Sequence, residues 1–171
     1  MGKHRPRIYF AGPDVFRKDA AEHFKEMVRL CERLGMVALI PADTLAPTAD
    51  PSLTIYQNNL ALLKRAHALI CNLQDFRGLE PDSGTAFEVG FAAARKIHIV
   101  GYGVPHDSYL ARIKAKGEIS PDLSTSTTPR DWDGYAVEDY GHSLNLMIHH
   151  AAKPFQQDAS RALQFLASFL V

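Results

Sequence analysis

The residue with the clearest capacity for chemistry is Glu88, a carboxylate inside an apolar stretch of the chain. It is the only ionisable residue between Gly84 and Ala94, and Phe87, Val89 and Phe91 lie close to it in sequence. No basic residue lies one helical turn away to neutralise it. Burying an unpaired carboxylate costs free energy, so such a group is usually retained for catalysis or binding. The alternative is a residue on a partly exposed helix surface.

A second carboxylate, Asp82, precedes Glu88 by six residues. If both are helical, about 9 Å of helical rise separates them. At that separation the two groups cannot share a proton, but they can bracket a molecule the size of a sugar. Asp82 is also well placed to cap the helix, and a capping carboxylate can still offer its second oxygen to a ligand.

The elements that must position these groups alternate between strands and helices. Short apolar runs predict the strands, and apolar residues at three- and four-residue spacing predict the helices. The predicted strands are Arg7–Ala11, Met36–Ile40, Ala68–Leu73 and Ile97–Tyr102. The predicted helices run from an Asp14 cap to about Leu34, from a Ser52 cap to about Ala66, through Glu88, from about Leu144 to Ala151, and from Phe155 onward.

This alternation predicts a flavodoxin-like, doubly wound α/β fold with about five parallel strands and helices on both faces. We expect a single domain over residues 1–171. Residues Ala42–Pro51 are expected to form a loop, and Gly103–His142, which lacks periodicity, a long loop of the kind that often acts as a lid.

In such sheets a ligand binds outside the carboxyl ends of the strands. The turn that contains Asp14 follows the first strand, and Asp75 and Asp82 follow the third. Asp14, Asp75, Asp82 and Glu88 are therefore expected to converge on one rim of the sheet.

Composition and charge narrow the function. The 171 residues are 46% hydrophobic and carry a formal net charge of zero, which gives no support for binding to nucleic acid or to an anionic membrane. Cys31 and Cys71 are isolated in apolar contexts, so neither a disulfide nor a zinc site is expected. We expect a cytoplasmic location, where cysteines stay reduced. No glycine-rich phosphate-binding signature follows any strand.

Three segments together resemble the nucleoside 2-deoxyribosyltransferase family over nearly the whole chain. They are IYFAGPDVF (Ile8–Phe16), FRGLEPDSGTAFEVGFAAA (Phe76–Ala94) and LNLMI (Leu144–Ile148). The middle segment is the most specific. The resemblance implies that Glu88 attacks C1′ of a 2′-deoxynucleoside, displaces the base and forms a deoxyribosyl ester that a second base then attacks. Two displacements at one carbon retain its configuration, as in retaining glycosidases.

The resemblance also assigns roles to other residues. It implies that Tyr9 orients the nucleophile and that Asp82 binds sugar hydroxyls. It further implies that Asn145 reaches the site of a neighbouring subunit in a homo-oligomer, a dimer or hexamer. We expect further substrate contacts from Gly12, Asp14, Phe16, Asn59 and Asp75. No cofactor or metal ion is expected, and the partners are a deoxynucleoside and a free nucleobase.

One departure affects the leaving group. Some family members have an aspartate near the base where this chain has Asn59, in the stretch Tyr56-Gln57-Asn58-Asn59. An asparagine can hydrogen-bond a base but cannot supply a proton. Asp75 or a water molecule is left as the proton donor, and the preference for purine or pyrimidine stays open.

Two alternatives remain at this point. A hydrolase would use the same glutamate to cleave a deoxynucleoside or its 5′-monophosphate; Asp14 disfavours the monophosphate because an aspartate repels phosphate. A nucleotide-sensing module without turnover would not need Glu88 as a nucleophile.

Overall fold

Five parallel strands form the sheet in the computed structural model, which describes residues 5–41 and 49–171. They are β1 (Arg7–Ala11), β2 (Val37–Leu39), β3 (Ala68–Asn72), β4 (His98–Tyr102) and β5 (Phe155–Gln156). Their order across the sheet is β2-β1-β3-β4-β5, with every pair parallel. This is the flavodoxin-like strand order, so the predicted fold is confirmed.

In the part of the chain that the structure describes, six α-helices connect and cover the strands. They are α1 (Ala20–Arg33), α2 (Pro51–Arg65), α3 (Ser83–Ala94), α4 (Tyr109–Ala115), α5 (Leu146–Ala151) and α6 (Ala159–Leu170). A short 3₁₀ helix, Pro13–Phe16, follows β1. Within the described residues, no helix is both long and apolar enough to cross a membrane.

The sheet has a hydrophobic core on each face, because side chains alternate along each strand. In β1, Ile8 and Phe10 join the core that includes residues of α1 and α6. Tyr9 and Ala11 point the other way and join the core with residues of α2 and α3. This alternation places Tyr9 on the same face of the sheet as the helix that carries Glu88.

Several predicted boundaries differ from the structure. The first helix begins at Ala20, so Asp14 lies in the 3₁₀ helix and does not cap α1. Helix α2 is capped by Asp50, whose Oδ1 accepts a hydrogen bond from the Leu53 backbone N–H, and not by Ser52. Of the predicted loop 42–51, residues 42–48 lie outside the described part of the chain.

Two larger differences lie in the second half of the chain. The segment expected to be a loop, 103–142, contains α4 and two isolated antiparallel bridges, Ile119 with Asp131 and Arg130 with Ala136. The helix expected to start at Phe155 begins at Ala159, because residues 155–156 pair with β4 as the fifth strand.

Arg112 of α4 connects this segment to the rest of the molecule. Its side chain is 10% exposed and pairs with Asp75 Oδ1 at 2.6 Å. It also donates to the backbone carbonyl oxygens of Leu79 and Ser143, at 2.8 and 2.5 Å. One guanidinium therefore joins α4 to the loop before α3 and to the segment before α5.

Candidate active site

A cavity of about 250 Å³ lies at the carboxyl edge of the sheet, between α2, α3 and the turn after β1. Parallel strands present their carboxyl ends and the following helix N-termini to this edge, which is where ligands bind in such folds. The lining residues are Gly12, Val15, Phe16, Pro41, Ile55, Asn59, Asp82, Gly84 and Glu88.

Glu88 is held in one orientation by Tyr9. The Tyr9 hydroxyl donates a hydrogen bond to Glu88 Oε1 at 2.5 Å, across 79 residues of sequence. Tyr9 is fully buried in the sheet, so its ring cannot move without disturbing the core. The hydrogen bond occupies Oε1 and leaves Oε2 as the oxygen with which Glu88 can act on a ligand.

The environment of Glu88 shifts its titration toward neutral pH. Burial raises the pKa of the Glu88 carboxyl to about 7; the hydrogen bond from Tyr9 opposes the rise and the Asp82 charge adds to it. Burial and the neighbouring Glu88 charge raise the pKa of the Tyr9 hydroxyl far above its usual range, so Tyr9 remains a donor at neutral pH. Glu88 is then about half ionised at pH 7, with a more basic carboxylate than an exposed glutamate has.

Asp82 caps α3 and lines the same cavity. Its Oδ2 accepts hydrogen bonds from the Thr85 backbone N–H at 2.9 Å and from Thr85 Oγ1 at 3.1 Å. These contacts fix the side chain at the start of the helix. The predicted capping role is therefore confirmed, and the carboxylate is held at the edge of the cavity.

Two predicted residues form the opposite wall. Asn59 lies on α2 with Ile55 one helical turn before it, and both line the cavity. The buried Asn59 Oδ1 lacks a hydrogen-bond partner within the described residues, which favours a ligand that donates an N–H or O–H there. The Phe16 side chain is 60% exposed although it lines the cavity, so one aromatic face is open to a planar ligand.

Besides Tyr9, which contacts the cavity residue Glu88, three other predicted residues lie outside this lining. The buried carboxylate of Asp14 accepts hydrogen bonds from Asn72 Nδ2 at 2.9 Å and from the Tyr102 hydroxyl at 3.0 Å. Asp75 is paired with Arg112. Asp14 therefore fixes the turn after β1, and Asp75 fixes the loop before α3.

Asn145 is the third predicted residue that lies outside the lining of the Glu88 cavity. Its Oδ1 accepts a hydrogen bond from Met147 N at 2.9 Å, which caps α5, and its Nδ2 donates to Glu138 at 3.0 Å. It lines a different cavity of about 300 Å³ with Glu80, Tyr109 and Glu138 among its neighbours. Asn145 and Glu88 of one chain therefore do not line the same cavity.

Four lining residues were not among the predicted site residues: Val15, Pro41, Ile55 and Gly84. Ile55 could have been found, because it lies four residues before Asn59 on the same face of α2. Within residues 5–41 and 49–171, no group of three or more His, Cys, Asp or Glu side chains is placed to hold a metal ion.

The comparisons with known proteins identify the family and the fold. The chain belongs to the nucleoside 2-deoxyribosyltransferase family, whose model matches residues 8–147. The family acts on small-molecule nucleosides and bases, and the match indicates a deoxyribosyltransferase type of function.

Individual relatives support the family and the fold. The chain is similar to a 2-deoxyribosyltransferase from Leishmania mexicana, with 29% identity, a TM-score of 0.76, and coverage of 97% of this chain and 99% of that one. It is 31% identical to an uncharacterised protein of Schizosaccharomyces pombe over 157 residues, 83% of this chain and 74% of the relative.

A 2-deoxyribosyltransferase from Bacillus psychrosaccharolyticus matches at 15% identity and a TM-score of 0.56, over 95% of this chain and 91% of that one. This likeness shows the fold alone.

Proposed function

We propose that the protein transfers the 2-deoxyribosyl group between nucleobases of 2′-deoxynucleosides through a covalent ester on Glu88. The observation that supports this most strongly is a half-buried glutamate at a cavity, held by the Tyr9 hydroxyl and with a pKa of about 7. A carboxylate of this kind suits nucleophilic attack on an anomeric carbon, because about half of it is ionised at pH 7 and the ionised form is poorly solvated.

The first step would be attack of Glu88 Oε2 on C1′. The carbon–oxygen bond forms as the glycosidic carbon–nitrogen bond breaks, and the bonding electrons leave with the base, which is protonated from water. The transition state has positive charge near C1′, and the adjacent carboxylate stabilises it. Tyr9 holds Oε1 during the attack, so the rotamer of Glu88 is set before the ligand binds.

The second step would reverse the first with another base. Its ring nitrogen attacks C1′, the ester bond breaks, and Glu88 returns as a carboxylate while the incoming base loses its proton to water. Two inversions give net retention. The product is a nucleoside with the same sugar and a different base.

The remaining roles follow from where the side chains lie. Asp82 would accept a hydrogen bond from a sugar hydroxyl through Oδ1, since its two capping bonds use Oδ2. Asn59 would bind a base edge and Phe16 would stack on the base. Gly12 would let the backbone approach the ligand; its φ is +154°, a conformation that other residues rarely adopt.

We further propose that the chain acts as one domain in a cytoplasmic homo-oligomer. Asn145 would complete a neighbouring subunit's site, which is consistent with its absence from the lining of the Glu88 cavity of its own chain. Mixing inactive Glu88→Gln and Asn145→Ala chains would then restore part of the activity, because some mixed sites receive both wild-type residues.

The test is base exchange. Deoxyinosine or thymidine is incubated with the protein, with and without an acceptor base, and the products are separated by chromatography. A transferase forms the new nucleoside only with acceptor. Release of free deoxyribose at a rate that the acceptor does not change would instead identify a hydrolase.

Replacement of the nucleophile gives the second test. Glu88→Gln should lower the rate by about three or more orders of magnitude, because the covalent step is lost. Glu32→Gln is the control: it makes the same substitution on α1, at a residue that lines neither the Glu88 cavity nor the Asn145 cavity. Mass spectrometry after mixing with a 2-fluoro-arabinosyl nucleoside should find a sugar adduct on the peptide that contains Glu88. Full activity of Glu88→Gln would show that another group is the nucleophile, and no turnover by the wild-type protein would leave a sensing module as the explanation.

A further inference from the structure

An aromatic stack borders the cavity. The rings of Phe16 and Phe76 are stacked with centroids 5.6 Å apart and an interplanar angle of 14°. Phe16 lines the cavity from the turn after β1, and Phe76 belongs to the loop between β3 and α3. The stack therefore joins the two loops that follow neighbouring strands at the carboxyl edge of the sheet.

Arg77 covers this stack with its guanidinium. Its Cζ lies 4.7 Å from the centroid of the Phe76 ring and 5.4 Å from that of Phe16. A planar cation over an aromatic face is attracted by the electrons of the ring. One side chain therefore contacts both rings and limits how far Phe16 can rotate away from Phe76.

The backbone of Arg77 adopts this position at a cost. Its φ is +56°, in the left-handed region that bulky residues rarely occupy. Glycine would adopt this angle without strain, and the chain has a glycine at the next position, Gly78. Among the residues that the structure describes, the contacts of the Arg77 side chain are those with the two rings.

Further hydrogen bonds hold the loop between β3 and α3, to which Phe76 and Arg77 belong. Asp75 and the Leu79 carbonyl bind Arg112, and the Phe76 backbone N–H donates to the Glu80 carbonyl at 3.0 Å. These bonds hold the base of the loop in place, so the Phe76 ring is a firm support for Phe16. Within the described residues, the exposed Phe16 ring has two such contacts, the stack with Phe76 and the guanidinium of Arg77.

We propose that Arg77 is a positioning residue: it holds Phe16 against Phe76 so that Phe16 presents a fixed aromatic wall to a planar base in the Glu88 cavity. The proposal rests on the proposed function, since the planar ligand is a nucleobase. Ordering the ring in advance lowers the entropy lost when a base stacks on it. The contribution falls on binding and not on the covalent step.

The test compares two glycine variants. Arg77→Gly relieves the backbone strain and removes the guanidinium. Lys96→Gly is the matched control, because Lys96 is also a non-glycine residue with φ +56° but lies just beyond the C-terminal end of α3, away from the stack. Both variants should keep or raise the unfolding temperature. Arg77→Gly alone should raise KM for the nucleoside by about two- to tenfold, with kcat within about twofold.

Arg77→Lys keeps a cation without the planar group and should restore part of the affinity. The position of the ring is measured separately, from the ¹⁹F chemical shift of a fluorinated phenylalanine introduced at position 16. The shift should move toward that of the free amino acid in Arg77→Gly and stay constant in Lys96→Gly.

The outcomes separate this proposal from the proposed function. If the wild-type protein shows no base exchange, calorimetric binding of hypoxanthine and thymine replaces KM; weaker binding by Arg77→Gly then supports the positioning role alone. The positioning role would be overturned if Arg77→Gly left the fluorine shift, the KM or the base affinity unchanged. It would also be overturned if Lys96→Gly lost as much affinity as Arg77→Gly, or if the wild-type protein bound no base.

Discussion

Replacing Tyr9 with phenylalanine removes the hydroxyl that donates to Glu88 Oε1 and keeps the buried ring. The variant therefore changes the electrostatic environment of Glu88 with little change in packing. Because the hydrogen bond stabilises the ionised carboxylate, its loss must raise the pKa of Glu88 above the present value of about 7.

The size of the rise follows from the strength of the bond. A hydrogen bond to a charged group contributes about 1.5–3 kcal/mol, and one pKa unit corresponds to about 1.4 kcal/mol. The pKa of Glu88 should then increase by about one to two units. At pH 7 the ionised fraction falls about five- to fiftyfold, and near pH 9.5 it recovers to within about twofold of the wild type.

The measurement is the pH dependence of kcat/KM for base release from deoxyinosine. Activity requires ionised Glu88, so it should fall as pH decreases through about 7 in the wild type, and at a pH one to two units higher in Tyr9→Phe. Tyr102→Phe is the control: it removes another buried hydroxyl of the same sheet, one that binds Asp14. Its acid limb should stay at the wild-type position.

If kcat/KM fell at the same acidic pH in Tyr9→Phe and in the wild type, this reasoning would be refuted. The hydroxyl would then have no effect on the ionisation of the nucleophile, whatever it does to the rate.

Three further results are expected. Burial raises the pKa of Glu88 from 4.5 to about 7, so the native state binds the proton more tightly than the unfolded chain does. The free energy of unfolding should therefore fall by up to about 3 kcal/mol between pH 4.5 and 7. In urea titrations, Glu88→Gln should lack this decrease. Gly12→Ala should destabilise the fold by about 1–3 kcal/mol, because the alanine Cβ would lie 2.8 Å from Asn72 Cβ and the backbone φ is +154°. Gly90 has open space around it, so Gly90→Ala should stabilise α3 by up to about 1 kcal/mol in thermal unfolding. Arg112→Ala should cost about 1.5–3 kcal/mol in urea unfolding, since it leaves Asp75 and two carbonyls without their donor. A loss below about 0.5 kcal/mol would contradict the role described for Arg112.

Much of the fold could be predicted because four strands are continuous apolar runs and the helices between them are periodic. The fifth strand could not, because Phe155–Gln156 is two residues long and only its pairing with β4 defines it. Helix α4 was missed for a similar reason: it has seven residues, too few for a clear periodic pattern.

The candidate site was predictable to the extent that its residues follow strands. Glu88, Asp82 and Asn59 were placed by helix spacing and by the resemblance, and all three line one cavity. The role of Asp14 could not be predicted from the sequence. Its partners Asn72 and Tyr102 lie 58 and 88 residues away, so nothing local indicates that its carboxylate is directed into the protein and occupied there.

The bonds of Arg112 have a consequence for sequence change in this protein. Two of its acceptors are main-chain carbonyls, those of Leu79 and Ser143, which remain when the side chain at either position is replaced. The junction between the three segments therefore tolerates substitution of Leu79 and Ser143 and depends on two side chains, those of Arg112 and Asp75. A survey of natural variants should find Leu79 and Ser143 freely exchanged and Arg112 retained.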